Sequence, residues 1–174
     1  MKIFKRYLPF LIAVLAVVLD QVTKYIALTH LKPVGSVPVI GGVFHFTFTT
    51  NPGAAFSLFA AEDQRWIFML VSSVAIVLMT AYLLIDKSST PLFRAAIGMV
   101  LGGGIGNMID RIVAGEVVDF LDFCLINFPI FNVADCFVCI GTGLLLLAFI
   151  LDWRRELLEA RKRSAEAQDD TSRS

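Results

Sequence analysis

Charge is scarce in this chain. Acidic and basic residues make up only 17% of it against 57% hydrophobic residues, and the mean hydropathy of +0.75 lies well outside the range of a soluble domain. The acidic and basic residues cancel, so the charge balance implies no nucleic-acid partner. Three cysteines cannot build a disulfide framework. Cys136 and Cys139 have redox spacing but sit in an apolar helical run where a thiolate is costly, so they read as small buried hydrophobes, and Cys124 has no evident partner. The two histidines, His30 and His45, lack a cysteine or carboxylate at ligand spacing, so no metal or cofactor is expected. A phosphate loop, a nucleophile elbow and a zinc-protease HExxH motif are all missing.

What is present is four apolar segments, at residues 8–28, 66–85, 92–109 and 133–151, each near the ~20 residues that cross ~30 Å of hydrocarbon as a helix. The chain start imitates a secretory signal, but its helical pattern continues far enough to span. Lys2, Lys5 and Arg6, then Lys87 and Arg94, then Arg154, Arg155, Arg161, Lys162 and Arg163 flank these segments on one side, which predicts cytoplasmic termini. The fold class is therefore an integral membrane α-helical protein. Four transmembrane helices carry a small extracytoplasmic β-hairpin between helices 1 and 2 and a loop between helices 3 and 4. Residues 1–153 form one membrane domain and 154–174 a polar cytoplasmic tail, helical to about Arg163 and disordered beyond it.

Between the first two spans, residues 37–40 and 43–49 read as strands around Gly41-Gly42, a permissive hairpin dipeptide. Phe44, Phe46 and Phe48 then share one face, suited to a sheet lying on a membrane surface, and His45 points the other way as a solvated or interfacial side chain. Asn51-Pro52 has the pattern of a helix opening, with asparagine as cap and proline in the first turn. The third span carries Gly98, Gly102 and Gly106 at intervals of four, a bare backbone face that a neighbouring helix can approach closely.

The polar residues gather at the predicted outer ends of the spans. Asp20 and Lys24 are one helical turn apart and read either as an ion pair at the outer rim of the bilayer or as direct members of a site. Asn107, Asp110 and Arg111 share a face beyond the glycines; Asp110 with Arg111 reads as a rim ion pair, or the amide and guanidinium as a holder for a peptide carbonyl. A short strand over residues 115–123 puts Val117 and Asp119 on one side, and Asn132 with Asp135 three residues on forms a capping arrangement at the last span. Asp119 and Asp135 bracket one short loop within reach of Asn51, Asn107 and Asn132. Two carboxylates at a partly dry surface are what hydrolysis by activated water needs, one to take a proton and one to give it, and their proximity itself raises one pKa.

At these positions the chain resembles bacterial lipoprotein signal peptidase, also called signal peptidase II. The resemblance rests on five ordered blocks: D-Q-V-T-K from Asp20, N-P-G-A-A-F from Asn51, G-N-M-I-D-R from Gly106, V-V-D-F from Val117 and F-N-V-A-D from Phe131. It implies an aspartic endopeptidase of the inner membrane that cleaves prolipoproteins before the diacylglyceryl cysteine, as a monomer in contact with membrane lipid. It further implies a catalytic pair Asp119 and Asp135, a substrate site lined by Asn51, Gly53, Asn107, Arg111 and Asn132, and support from Asp20, Lys24 and Asp110. Pro52 departs from the pattern by removing a backbone donor. The rival reading, a small proton-coupled transporter, would need polar groups at mid-membrane depth, and the last three spans carry no charge in their interiors.

The orientation is testable by labelling. In a cysteine-free background, a cysteine replacing Glu62 is expected to react with an impermeant thiol reagent in intact cells and one replacing Ser88 is not. The reverse pattern would overturn the orientation.

Overall fold

The computed structural model describes residues 2–52, 65–86 and 88–173. Among the described residues, four helices are long and apolar enough to cross a membrane: α1 (Lys2–Ile26), α2 (Arg65–Ile85), α3 (Pro91–Val113) and α4 (Val133–Arg173). Between α1 and α2 lie β1 (Ser36–Ile40) and β2 (Phe44–Asn51), and between α3 and α4 lies β3 (Val117–Asp122). The three strands form one antiparallel sheet in the order β1-β2-β3. Side chains such as Val14, Leu70, Val71, Leu146 and Phe149 face outward on the helices, an exposure that hydrocarbon favours and water would penalise.

The helix ends follow from local chemistry. Thr90 caps α3 by accepting from the Phe93 N–H, with Pro91 in the first turn where no N–H is needed. At its far end the chain turns through Gly115, whose φ of 81° favours a residue without a Cβ, and enters β3. α3 thus runs one turn beyond the expected end at residue 109 and keeps Asp110 and Arg111 helical. α1 continues through a π-helical turn, Ala27–Leu31.

The glycine face works as anticipated. A Cβ on Gly98 would strike the Pro9 carbonyl, one on Gly102 would lie 2.6 Å from the Ala13 carbonyl oxygen, and one on Gly106 2.5 Å from Asp20 Oδ2. All three contacts are on α1. Gly103 meets α4 instead, at the Ala134 carbonyl and Val138. Ala13, Leu83, Ile97 and Leu101 form the core of the bundle. A second cluster, Ala27, Leu31, Val118 and Phe120 with Phe48 against it, joins the sheet to the end of α1.

Several expectations need correction. Register shifts between Phe46 and Thr49, so the phenylalanines do not form one lipid-facing row: Phe48 packs on the second cluster and Phe44 against Phe123, ring centroids 5.0 Å apart. Cys136 is half-buried and Cys139 exposed, so neither is the fully buried hydrophobe expected. α4 continues to Arg173 where disorder was anticipated; the segment A-E-A-Q-D-D lacks proline and glycine and is rich in helix formers. Asn51 closes β2 opposite Val117, and the helix opening expected after it lies outside the described residues.

Gly103→Ala is expected to lower the stability of the bundle by about 1–3 kcal/mol through overpacking. Gly104→Ala, whose new Cβ would meet only Ile76 at 3.9 Å, should be near neutral. Thermal unfolding of both variants in detergent checks the contrast.

Candidate active site

One buried ammonium stands at the base of the site. Lys24 Nζ lies 2.9 Å from Asp20 Oδ2 and 2.9 Å from Asp110 Oδ2, and donates to Asn107 Oδ1 at 2.8 Å. The expected Asp20–Lys24 pair is present, but Asp110 pairs with Lys24 and not with its neighbour Arg111. Adjacent residues on a helix diverge, whereas α1 packs directly across the glycine face. Each carboxylate also holds a main-chain donor from another element: Asp20 Oδ1 accepts from the Ala134 N–H at 2.9 Å and Asp110 Oδ2 from the Val118 N–H at 3.2 Å.

The amides above this network have their orientation imposed. Lysine only donates, so Asn107 must turn its oxygen toward Lys24, which leaves its Nδ2 to donate to Asp135 Oδ1 at 2.8 Å. Asn132 Nδ2 donates to the same Asn107 oxygen at 3.1 Å and to Asp119 Oδ1 at 2.7 Å. Asn132 and Asp135 complete the anticipated capping box at the start of α4: the Asp135 N–H donates to Asn132 Oδ1 at 3.0 Å and the Asn132 N–H to Asp135 Oδ2 at 3.2 Å. Asp119 arrives by strand pairing. β3 pairs Thr49 with Asp119 and Asn51 with Val117, so Asn51 is the diagonal neighbour of Asp119 on one face and its side chain hydrogen-bonds the Asp119 carboxylate. Pairing of Leu121 with Phe131 draws the α4 entry to the same edge.

The structure therefore brings together Asp119, Asp135, Asn51, Asn107 and Asn132, with Asp20, Lys24 and Asp110 beneath them. Arg111 joins them electrostatically through Asp135, Asp119 and Asp110. Its Nη1 donates to the Asn107 carbonyl at 3.3 Å, while its shielded Nε has no hydrogen-bond partner among the described residues. Gly53 lies outside the described residues. Gln21 was not anticipated: its Nε2 donates to Asp110 Oδ1 at 2.9 Å and to Asp20 and the Gly106 carbonyl at 3.2 Å. Its place three residues before Lys24, on the same helix face, was the available signal.

Asp119 is only 3% exposed. Burial, and after it the nearby Asp135 carboxylate, push its carboxyl up from an ordinary 3.8 to about 6, against the pull of the Asn132 and Asn51 amides. An apolar groove of about 450 Å³ between the end of α1, the sheet and the start of α4 is lined by Ile26, Ala27, Leu31, Phe46, Phe120 and Val133 among others. Phe120 follows Asp119 on β3 and Val133 follows Asn132 at the start of α4, so the elements that carry the two aspartates also contribute to the groove.

The sequence profile described as Signal peptidase (SPase) II matches residues 12–151. The chain belongs to the signal peptidase II family. It is 43% identical over 146 residues to the lipoprotein signal peptidase of Brevibacillus brevis, covering 84% of this chain and 97% of that protein. It is 44% identical over 146 residues to the lipoprotein signal peptidase of Nostoc punctiforme, covering 83% and 90%. A solved bacterial membrane enzyme superposes with a TM-score of 0.74 at 35% identity, over 83% of this chain and 88% of that one. The transporter reading gains no support: the buried polar groups of this signal peptidase II member gather at one end of the bundle, apart from Arg94 at the other.

The raised Asp119 carboxyl has a defined consequence. Between about pH 4 and pH 6 the folded protein keeps the Asp119 proton that the unfolded chain has lost, so this group's contribution makes stability fall as pH rises through that window. An Asp119→Asn variant lacks the effect. Its melting temperature relative to the unsubstituted protein should climb from pH 4 to pH 6 and then level off; a difference constant with pH would contradict the environment described for Asp119.

Proposed function

We propose that the protein is an aspartic endopeptidase of the bacterial inner membrane that removes signal peptides from lipid-modified prolipoproteins, cleaving before the diacylglyceryl cysteine. The observation that carries this reading is the amide pair: Asn107 holds Asp135 and Asn132 holds Asp119 from one shared hydrogen-bond chain, which aims two carboxylates of unlike environment at a common space.

In this reading Asp135, accepting on both oxygens, takes a proton from a water molecule as the water oxygen attacks the scissile carbonyl carbon. Asp119, the carboxyl made easier to protonate, gives its proton to the carbonyl oxygen. The resulting gem-diol collapses when Asp119 takes back a hydroxyl proton and Asp135 delivers its own to the leaving nitrogen. The carbon–nitrogen bond then breaks and the pair returns to its starting state. The Arg111 guanidinium, with its free shielded Nε, is suited to hold a substrate carbonyl. Asn51, whose side chain hydrogen-bonds Asp119, belongs to the same binding edge, and the family resemblance adds Gly53 to the substrate-binding residues.

The basic flanks support cytoplasmic termini and an extracytoplasmic site, in a monomer with one membrane domain over residues 1–153 and a cytoplasmic tail over 154–174. The apolar groove, to which the elements carrying both aspartates contribute Phe120 and Val133, supports a lipidated substrate. Acyl chains that stay in an apolar setting before and after binding gain little by transfer, although each CH₂ taken from water contributes ~0.8 kcal/mol. Their role is positional: anchoring holds the scissile bond at the height of the two aspartates.

A mass-shift assay on a purified diacylglyceryl prolipoprotein in detergent tests the reading. Asp119→Asn and Asp135→Asn should each slow cleavage by ~10²–10⁴-fold, and a precursor whose cysteine is replaced by serine should stay uncut. Near-normal turnover by either variant would remove the acid pair, and equal rates for the two precursors would remove the lipid requirement.

A further inference from the structure

Three side chains that the proposed chemistry does not use meet on the opposite edge of the β2–β3 pairing. Register sets His45 of β2 opposite Asp122 of β3. The 3-10 turn that follows, Cys124–Ile126, folds back on β2, where the Leu125 N–H donates to the Val43 carbonyl at 3.3 Å. One imidazole nitrogen of His45, one carboxylate oxygen of Asp122 and Cys124 Sγ lie within 4.8 Å of one another, all three residues half-buried.

Two further observations distinguish this group from a chance surface cluster. His45 Nε2 is shielded from solvent and has no hydrogen-bond partner among the described residues. Asp122 is held in place from behind, since Thr47 Oγ1 donates to Asp122 Oδ2 at 2.8 Å and Ser36 Oγ lies 2.8 Å from Thr47 Oγ1. A carboxylate fixed by an outer hydrogen bond is the arrangement that orients metal ligands.

We propose that His45, Asp122 and Cys124 form a binding site for one divalent transition-metal ion of the zinc class, with water in the remaining position. Nitrogen, oxygen and sulfur donors together suit zinc or cobalt, whereas magnesium and calcium prefer shells of oxygen alone. In a tetrahedral zinc site the donor atoms lie about 3.3–3.6 Å apart, so the three side chains need to close by little more than about 1 Å. On binding, the Cys124 thiol releases its proton to water as the sulfur–metal bond forms. The ion would staple β2 to the turn after β3, at the strand that carries Asp119, without entering the acid pair. Sequence spacing concealed the site because His45 on β2 is far along the chain from Asp122 on β3 and Cys124 in the turn after it.

The test uses the full-length protein, stripped with a chelator in detergent and titrated with cobalt(II). One equivalent should produce a thiolate-to-cobalt charge-transfer band, which one equivalent of zinc then abolishes and excess magnesium does not. Cys124→Ser should lose the band, and it and His45→Gln should each weaken zinc binding by about 100-fold or more, beyond the loss typical of an outer-shell change. Zinc should also protect Cys124 of the unsubstituted protein from alkylation, a reading that needs no variant. The proposal is overturned if no band forms, if the band survives Cys124→Ser, if magnesium displaces cobalt as well as zinc does, or if zinc leaves Cys124 alkylation unchanged.

Discussion

The position of Lys24 constrains everything above it. Moving an ammonium out of water costs several kcal/mol even after relaxation, and only close partners on all its donors offset that. Lys24 has such partners in Asp20, Asp110 and Asn107, and each of these reaches an element other than its own. Asp20 holds the first turn of α4 through Ala134, Asp110 holds the start of β3 through Val118, and Asn107 holds Asp135. The coordination sphere of one ammonium thus sets α1, α3, α4 and β3 in register. Removing it would leave two carboxylates buried and uncompensated, so the network acts as a unit.

Directionality passes upward from that charge. An isolated asparagine can flip its amide at little cost, and a site built on flippable amides would present donors and acceptors at random. Here the ammonium fixes the Asn107 oxygen, that oxygen accepts from Asn132, and the remaining donors of both amides fall on the two aspartates. The capping box at Asn132 and Asp135 serves two ends at once: it starts α4 and it fixes the Asn132 oxygen so that its nitrogen must face Asp119. A capping motif read from sequence as helix punctuation is therefore also part of the site's wiring.

How much of this was legible in the sequence depended on the range of the contact. The spans, the Gly41-Gly42 hairpin, the Asp20–Lys24 pair and the Asn132–Asp135 cap are local, and periodicity or spacing exposed them. The glycine face announced a close helix partner without saying which helix. The link of Asp110 to Lys24 and the meeting of His45 with Cys124 depend on packing across the bundle and on strand register, including the shift between Phe46 and Thr49. No short window of sequence contains that information. The short loop that Asp119 and Asp135 bracket already put the two carboxylates within reach of one another in sequence, and the family resemblance added the catalytic role expected of them.

The same physics explains why the acid pair stands at the end of the spans. Within a helix every backbone N–H is engaged by the carbonyl one turn back, so a carboxylate at mid-span finds no main-chain donor. Donors become free only at a helix start or beside a strand end. Asp20 uses the Ala134 N–H, Asp135 the Asn132 N–H and Asp110 the Val118 N–H, all at such places. The glycine at 106 lets Asp20 reach its donor across the α1–α3 interface, in space a side chain would occupy. A membrane protein that keeps several carboxylates nearly dry is thereby driven to gather them where two helix ends and a strand meet. In the proposed function, that junction is also the depth at which water and a membrane-anchored peptide bond both arrive.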